Sequence, residues 1–82
     1  MRVRAQIQLD TQSKIIDFIN IMAHQTDTFM VEDEQAHARA NASSMLGVIY
    51  ASGDYGEQMY LVNETNDGHF PNELDQFRVE GR

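Results

Sequence analysis

The chain opens on a two-residue alternation. Val3, Ala5, Ile7 and Leu9 fall on one side of an extended backbone, and Arg4, Gln6 and Gln8 on the other, which predicts a half-buried strand over residues 3–9. Asp10-Thr11-Gln12-Ser13 breaks that period and offers several helix N-caps. From Lys14 the apolar positions recur at helical spacing: Ile15, Ile16, Ile19, Met22 and Ala23, with Asp17, Asn20 and His24 between them. Phe18 and Ile21 widen the stripe, so the helix is expected to be well buried or to carry an exposed apolar edge. Gln25 to Asp27 ends it.

Residues 28–33 read as a strand through Phe29 and Val31, and Glu32-Asp33-Glu34-Gln35 as a solvated polar connection. In Ala36-His37-Ala38-Arg39-Ala40-Asn41-Ala42, helical spacing would scatter the alanines around a cylinder. A strand puts them all on one face, so a strand packed close beneath a helix is expected, despite the low strand propensity of alanine. Ser43-Ser44 then caps a short apolar helix, Met45 to Ala51, which Ser52-Gly53 is expected to stop. Asp54-Tyr55-Gly56 is a turn, and Gln58 to Val62 a strand with Met59 and Leu61 on one side. A polar loop runs from Asn63 to Phe70. Pro71 suits the first turn of a last short helix, in which Leu74 and Phe77 dock on the body. The order is β-α-β-β-α-β-α. Each apolar strand face needs cover, so the expected fold is α+β: an open-faced sandwich of a four-stranded antiparallel sheet with three helices on one side.

Composition narrows the partners. Eighty-two residues suffice for a single domain, 1–82, with one modest core. The net charge of −7 sets 13 acidic residues against 6 basic ones, and the basic ones (Arg2, Arg4, Lys14, Arg39, Arg78 and Arg82) form no cluster. Phosphate-rich partners are bound by clustered Lys and Arg that displace counterions, so neither nucleic acid nor anionic lipid is expected as partner. A chain without cysteine has no disulfide, no thiolate metal site and no cysteine nucleophile. Met1 to Gln6 contains no apolar run to serve as signal or membrane span, so the expected compartment is the cytoplasm, without membrane insertion.

Ser44-Met45-Leu46-Gly47-Val48-Ile49-Tyr50-Ala51-Ser52-Gly53, followed by Glu57-Gln58-Met59-Tyr60-Leu61-Val62, carries a resemblance to a known family. A serine, two apolar residues, a glycine and an apolar helix leading through a Gly-containing turn into the fourth strand resemble the same stretch of the histidine phosphocarrier (HPr) proteins of the bacterial sugar phosphotransferase system. The order and approximate length of the flanking elements agree over nearly the whole chain, with the final helix shorter than the family's. The resemblance implies an HPr-like sandwich, a role beside phosphotransferase-system or regulatory proteins, and no cofactor.

One part of the family pattern is missing. In the family, the loop after the first strand carries a phospho-accepting His, with Arg and Pro close behind, at the N-terminus of the first helix. The corresponding loop here is Asp10-Thr11-Gln12-Ser13-Lys14, with none of the three. Thr11 and Ser13 are hydroxyls able to stand in as acceptors, or one of them simply caps the helix; Lys14 is a cation able to steer an anion there. His24 is expected to cap a helix C-terminus, and His37 and His69 to face solvent. No His-x-x-x-His or similar spacing suggests a metal site.

Ser44 matches the serine that a dedicated kinase phosphorylates in Gram-positive members. A phosphate there would meet the orphan N–H groups of a helix N-terminus; the alternative is an ordinary N-cap. Ser43 and Ala51 depart from the family's usual residues. Met45 and Ile49 match the family's partner-docking positions, and Phe18 or Met22 the exposed edge of the first helix, unless these side chains only complete the core. The expectation is therefore a binding or regulatory HPr-like domain without histidine phosphotransfer. The alternatives are a carrier with an unusual acceptor, or a free-standing α+β interaction domain of similar architecture. No nucleophile–base or carboxylate pair at recognisable spacing points to an ordinary enzyme.

Overall fold

A computed structural model describes residues 3–56 and 58–79. The alternation near the start forms β1 (Arg4–Ile7), which pairs antiparallel with β4 (Met59–Asn63). β4 in turn pairs antiparallel with β2 (Phe29–Glu32), and β2 with β3 (Arg39–Asn41), giving the order β1-β4-β2-β3. β1 and β2 therefore run parallel with β4 between them, and β3 and β4 run parallel with β2 between them. The sheet consists of two interleaved split β-α-β units, whose crossovers are α1 (Gln12–Ala23) and α2 (Met45–Asp54).

Register follows the apolar pattern. Ala5, Leu61, Val31 and Ala40 lie in one row across all four strands, with Ile7 opposite Met59. The helices close over this face with Phe18, Ile19 and Met22 from α1 and Val48 and Ala51 from α2. Leu74 and Phe77 complete the core from a 3-10 helix, Asn72–Phe77, that follows Pro71. Phe77 meets Phe18 edge to face, with ring centroids 5.4 Å apart, a favoured aromatic geometry. The segment beyond runs along the outer edge of β1, where Gln8 N donates to Phe77 O at 2.8 Å and Val79 N to Gln6 O at 2.9 Å.

The third strand is shorter than its alternation suggests. Asp33 Oδ1 accepts from His37 N at 2.8 Å and from Ala38 N at 3.3 Å, and Ala36 takes a left-handed φ of 60°. This turn removes residues 36–38 from the strand and leaves His37 exposed in a loop rather than on a strand face. The close approach to a helix is present all the same. A Cβ added to Gly47 of α2 would lie 3.2 Å from the Ala40 Cβ, so small residues on both elements let them meet.

Helix ends differ from expectation for local reasons. α1 begins at Gln12 because extended Thr11 caps it, its Oγ1 accepting from Lys14 N at 3.1 Å. At its other end the His24 ring Nδ1 lies 2.8 Å from Asn20 O, the expected C-terminal position for a histidine. α2 runs through Ser52-Gly53 to Asp54. Ser52 Oγ donates back to Ile49 O at 2.9 Å, so the serine is satisfied inside the helix, and the left-handed residue near its end is Gly56, φ 62°.

Candidate functional site

The loop before α1 is the first place to look for phosphoryl chemistry. Its threonine is engaged as the N-cap, and its lysine is paired: Lys14 Nζ lies 3.1 Å from Asp10 Oδ1. The hydrogen bond from Lys14 holds the Asp10 carboxyl below the usual carboxylate range. Ser13 is exposed in the first turn. The loop thus brings together a carboxylate, a lysine and two hydroxyls, and the carboxylate already takes the lysine that would otherwise attract an anion.

Ser44 stands at the corresponding end of α2. Its backbone is extended and its Oγ accepts from Gly47 N at 3.2 Å, so the residue is an N-cap with an exposed side chain. Behind it, Met45, Leu46, Ile49 and Tyr50 all point away from the core, Leu46 at 80% exposure. These positions share one side of the helix because Val48, Ala51 and Tyr55, at the opposite phase, are buried. Ile16 of α1, half exposed, adds to the apolar surface of the helical layer. Apolar side chains grouped in this way mark interaction surfaces more often than chance exposure does.

Phe18 and Met22 do not belong to this surface. Both are buried in the core, Phe18 completely, because they sit on the side of α1 that faces the sheet. The exposed apolar position on α1 is Ile16. Leu46 and Tyr50, which the family comparison did not single out, are the most exposed members of the group. Their helical phase relative to Val48 and Ala51 was the available signal.

The sheet face away from the helices holds a polar network that sequence reading missed. Gln6, Tyr60, Glu32 and Arg39 form one row across the four strands. Glu32, expected in a solvated connection, ends β2 and is fully buried. Arg39 Nε donates to its Oε2 at 2.8 Å, and Arg39 also reaches Glu64. Arg4 approaches Glu32 Oε1 at 3.6 Å, donates to the carbonyls of Asp33 and Glu34 at 2.8 and 3.0 Å, and lies 4.1 Å over the Tyr60 ring. Two of the chain's few cations are thereby committed to structure.

Asn63 is a second hidden centre. Its buried amide donates to Asp27 Oδ2 and to His69 O, both at 2.9 Å, and accepts from Thr65 N and Asn66 N at 2.9 and 2.8 Å. Three of these bonds hold the loop that follows β4, and the one to Asp27 ties the strand to the segment between α1 and β2. His24, His37 and His69 are all exposed and lie on three different segments. Among the described residues no group of three His, Cys, Asp or Glu side chains is placed to hold a metal ion, and no helix is long and apolar enough to cross a membrane.

Compared with known proteins, the chain matches no family model, no curated protein and no solved structure.

Proposed function

We propose that this chain is an HPr-like binding or regulatory domain, without histidine phosphotransfer, that docks a protein partner on the outer side of α2. The observation that carries the reading is the exposed group Met45, Leu46, Ile49 and Tyr50 directly behind the Ser44 cap. The relation to HPr is supported by the β-α-β-β-α-β order with its terminal helical turn and by the Ser44–Gly53 segment. Against carrier chemistry stands the loop before α1, which has neither His, Arg nor Pro, and in which Thr11 is a cap and Lys14 is paired with Asp10.

In this reading Ser44 is also the regulatory position. A phosphate on its Oγ would carry up to two negative charges to the start of α2, immediately beside Met45 and Leu46. The helix dipole would favour it there, and it would at the same time change the charge of the docking surface.

Incubation with phosphoenolpyruvate and Enzyme I, read by intact mass, separates the binding reading from a carrier with an unusual acceptor. The expected result is no mass gain; any phosphoryl group gained would overturn the reading, an acid-labile one placing it on a histidine and an acid-stable one directing attention first to Ser13, exposed in the first turn of α1. Titration of isotope-labelled protein with Enzyme I and with an HPr kinase should shift the amides of residues 45–50. Should neither partner move them, the chain is a free-standing interaction domain of similar architecture. Phosphorylation by the kinase with ATP, abolished in Ser44→Ala, tests the regulatory position.

A further inference from the structure

We propose that the hollow between the end of α1 and the start of α2 receives the guanidinium group of an arginine side chain from a docked protein. The cavity measures about 230 Å³ and its wall includes Ala23, Thr26, Asp27, Thr28, Asn41 and Ser43. That is below the roughly 300–1,000 Å³ of sites for drug-sized ligands and suits the head of one long side chain.

The chemistry of the wall selects a cation. Asp27 is its only ionisable residue, and among the described residues no Lys, Arg or His forms an ion pair with it. Asn63 Nδ2 occupies Oδ2 of Asp27 with a neutral donor, which orients the carboxylate without neutralising it. α1 ends at Ala23, so the negative end of a twelve-residue helix meets the cavity. The Ser43 hydroxyl spends its proton on Asn41 Oδ1 at 2.7 Å, leaving its oxygen lone pairs as acceptors, and Thr26 and Thr28 add two more hydroxyls. The described cations lie elsewhere: Arg4 and Arg39 on the far face of the sheet, Lys14 on Asp10, and Arg78 beside Phe70. His24, the nearest titratable group on α1, turns its ring to Asn20 O. Acceptors spread around a cavity suit the planar, five-donor fork of arginine better than the compact ammonium of lysine.

The cavity also explains the choice of a protein-borne group. Its wall includes Ser43, two residues before Met45, so the hollow adjoins the apolar side of α2. A partner seated there would bring apolar contact to Met45 and Leu46 and place a basic side chain beside Asp27. This attribution of the source rests on the docking reading above, whereas the cation site itself does not.

The test uses NMR titration of the full chain with N-acetyl-arginine amide, free arginine, and the neutral isostere N-acetyl-citrulline amide. The capped arginine should shift the amides around Ala23, Asp27 and Ser43, the citrulline compound should not, and free arginine should bind no better than the capped form. Asp27→Asn keeps an acceptor for Asn63 and should weaken binding about tenfold, as expected for one charge-assisted contact. Asp17→Asn removes the same charge from the exposed side of α1 and should change little. Equal losses in the two variants, shifts spread over the acidic surface, or no shift in the native protein would overturn the cation site. Clearly tighter binding of free arginine would overturn the protein source alone.

Discussion

Arg39 Nε donates to Glu32 Oε2 at 2.8 Å on the sheet face that no helix covers. Glu32 is fully buried there, while Arg39 keeps about a third of its side chain in solvent. Removing one partner of such a pair leaves the other charge less compensated, here with Arg4 still 3.6 Å from Glu32, whereas removing both avoids that cost. Arg39→Met should lower stability by roughly 2–3 kcal/mol, less than a fully enclosed pair would lose because water reaches the arginine. Glu32→Met combined with Arg39→Met should recover part of that loss. Urea denaturation of the three proteins checks both statements.

Asn63→Ala should be among the more damaging polar substitutions. It strips two donors and two acceptor contacts from one buried centre and leaves the Thr65 and Asn66 N–H groups without their partner. A loss of about 2–4 kcal/mol is expected. Hydrogen exchange should become faster first at Thr65 and Asn66, ahead of the β1–β4 ladder.

The cap at Ser44 gives a smaller, cleaner effect. Ser44→Ala should cost about 1 kcal/mol through loss of the bond to Gly47 N, and Ser44→Asp should keep most of it, since aspartate caps equally well. Thermal unfolding of both variants distinguishes the capping contribution from any effect on partner binding.

Asp10 titrates below the ordinary carboxylate value, chiefly because of the Lys14 hydrogen bond, with the lysine charge adding to it and slight burial opposing it. A depressed folded-state pKa means that this pair stabilises the fold above about pH 4 and loses its effect as pH falls through the folded value. In Lys14→Met the Asp10 midpoint should rise toward that of an unpaired aspartate. Carboxyl-detected NMR titration measures it directly.

Leu46 and Phe18 should behave oppositely. Leu46→Glu should leave unfolding nearly unchanged, because the side chain is already in water, yet abolish shifts on partner titration. Phe18→Ala should cost about 3–5 kcal/mol by opening a cavity against Phe77 and should affect binding only through folding. Calorimetry paired with a binding titration separates the two.

Local periodicity was readable wherever one face of an element alone decided its environment. The alternation of residues 3–9 and the stripe from Ile15 to Met22 placed β1 and α1, and the docking of Leu74 and Phe77 followed from two apolar residues after Pro71. Periodicity failed where a side chain competed with the backbone. Asp33 took the N–H groups of His37 and Ala38 into a turn, shortening β3, and Ser52 satisfied its hydroxyl within α2, so the expected stop did not occur. The Arg4–Glu32–Arg39 network was invisible for another reason. Its members become neighbours only through strand register, and no spacing along the chain announces a buried glutamate next to two other acidic residues. At the candidate site, Met45 and Ile49 were legible from the Ser44 segment, but choosing Phe18 or Met22 for α1 required knowing which side of the helix the sheet covers.

The strand order carries a consequence for how the chain reaches its native state. β1 and β2 both pair with β4, which follows the other three strands of this sheet in the sequence. Until residues 59–63 have emerged from a ribosome, only the short β2–β3 ladder can form, and the two crossover helices have no continuous surface to cover. Folding of this sheet must therefore wait for the chain through β4 and close over long sequence separations at once. That makes it slower than in a helical bundle of equal length, and leaves no stable half-built nascent domain.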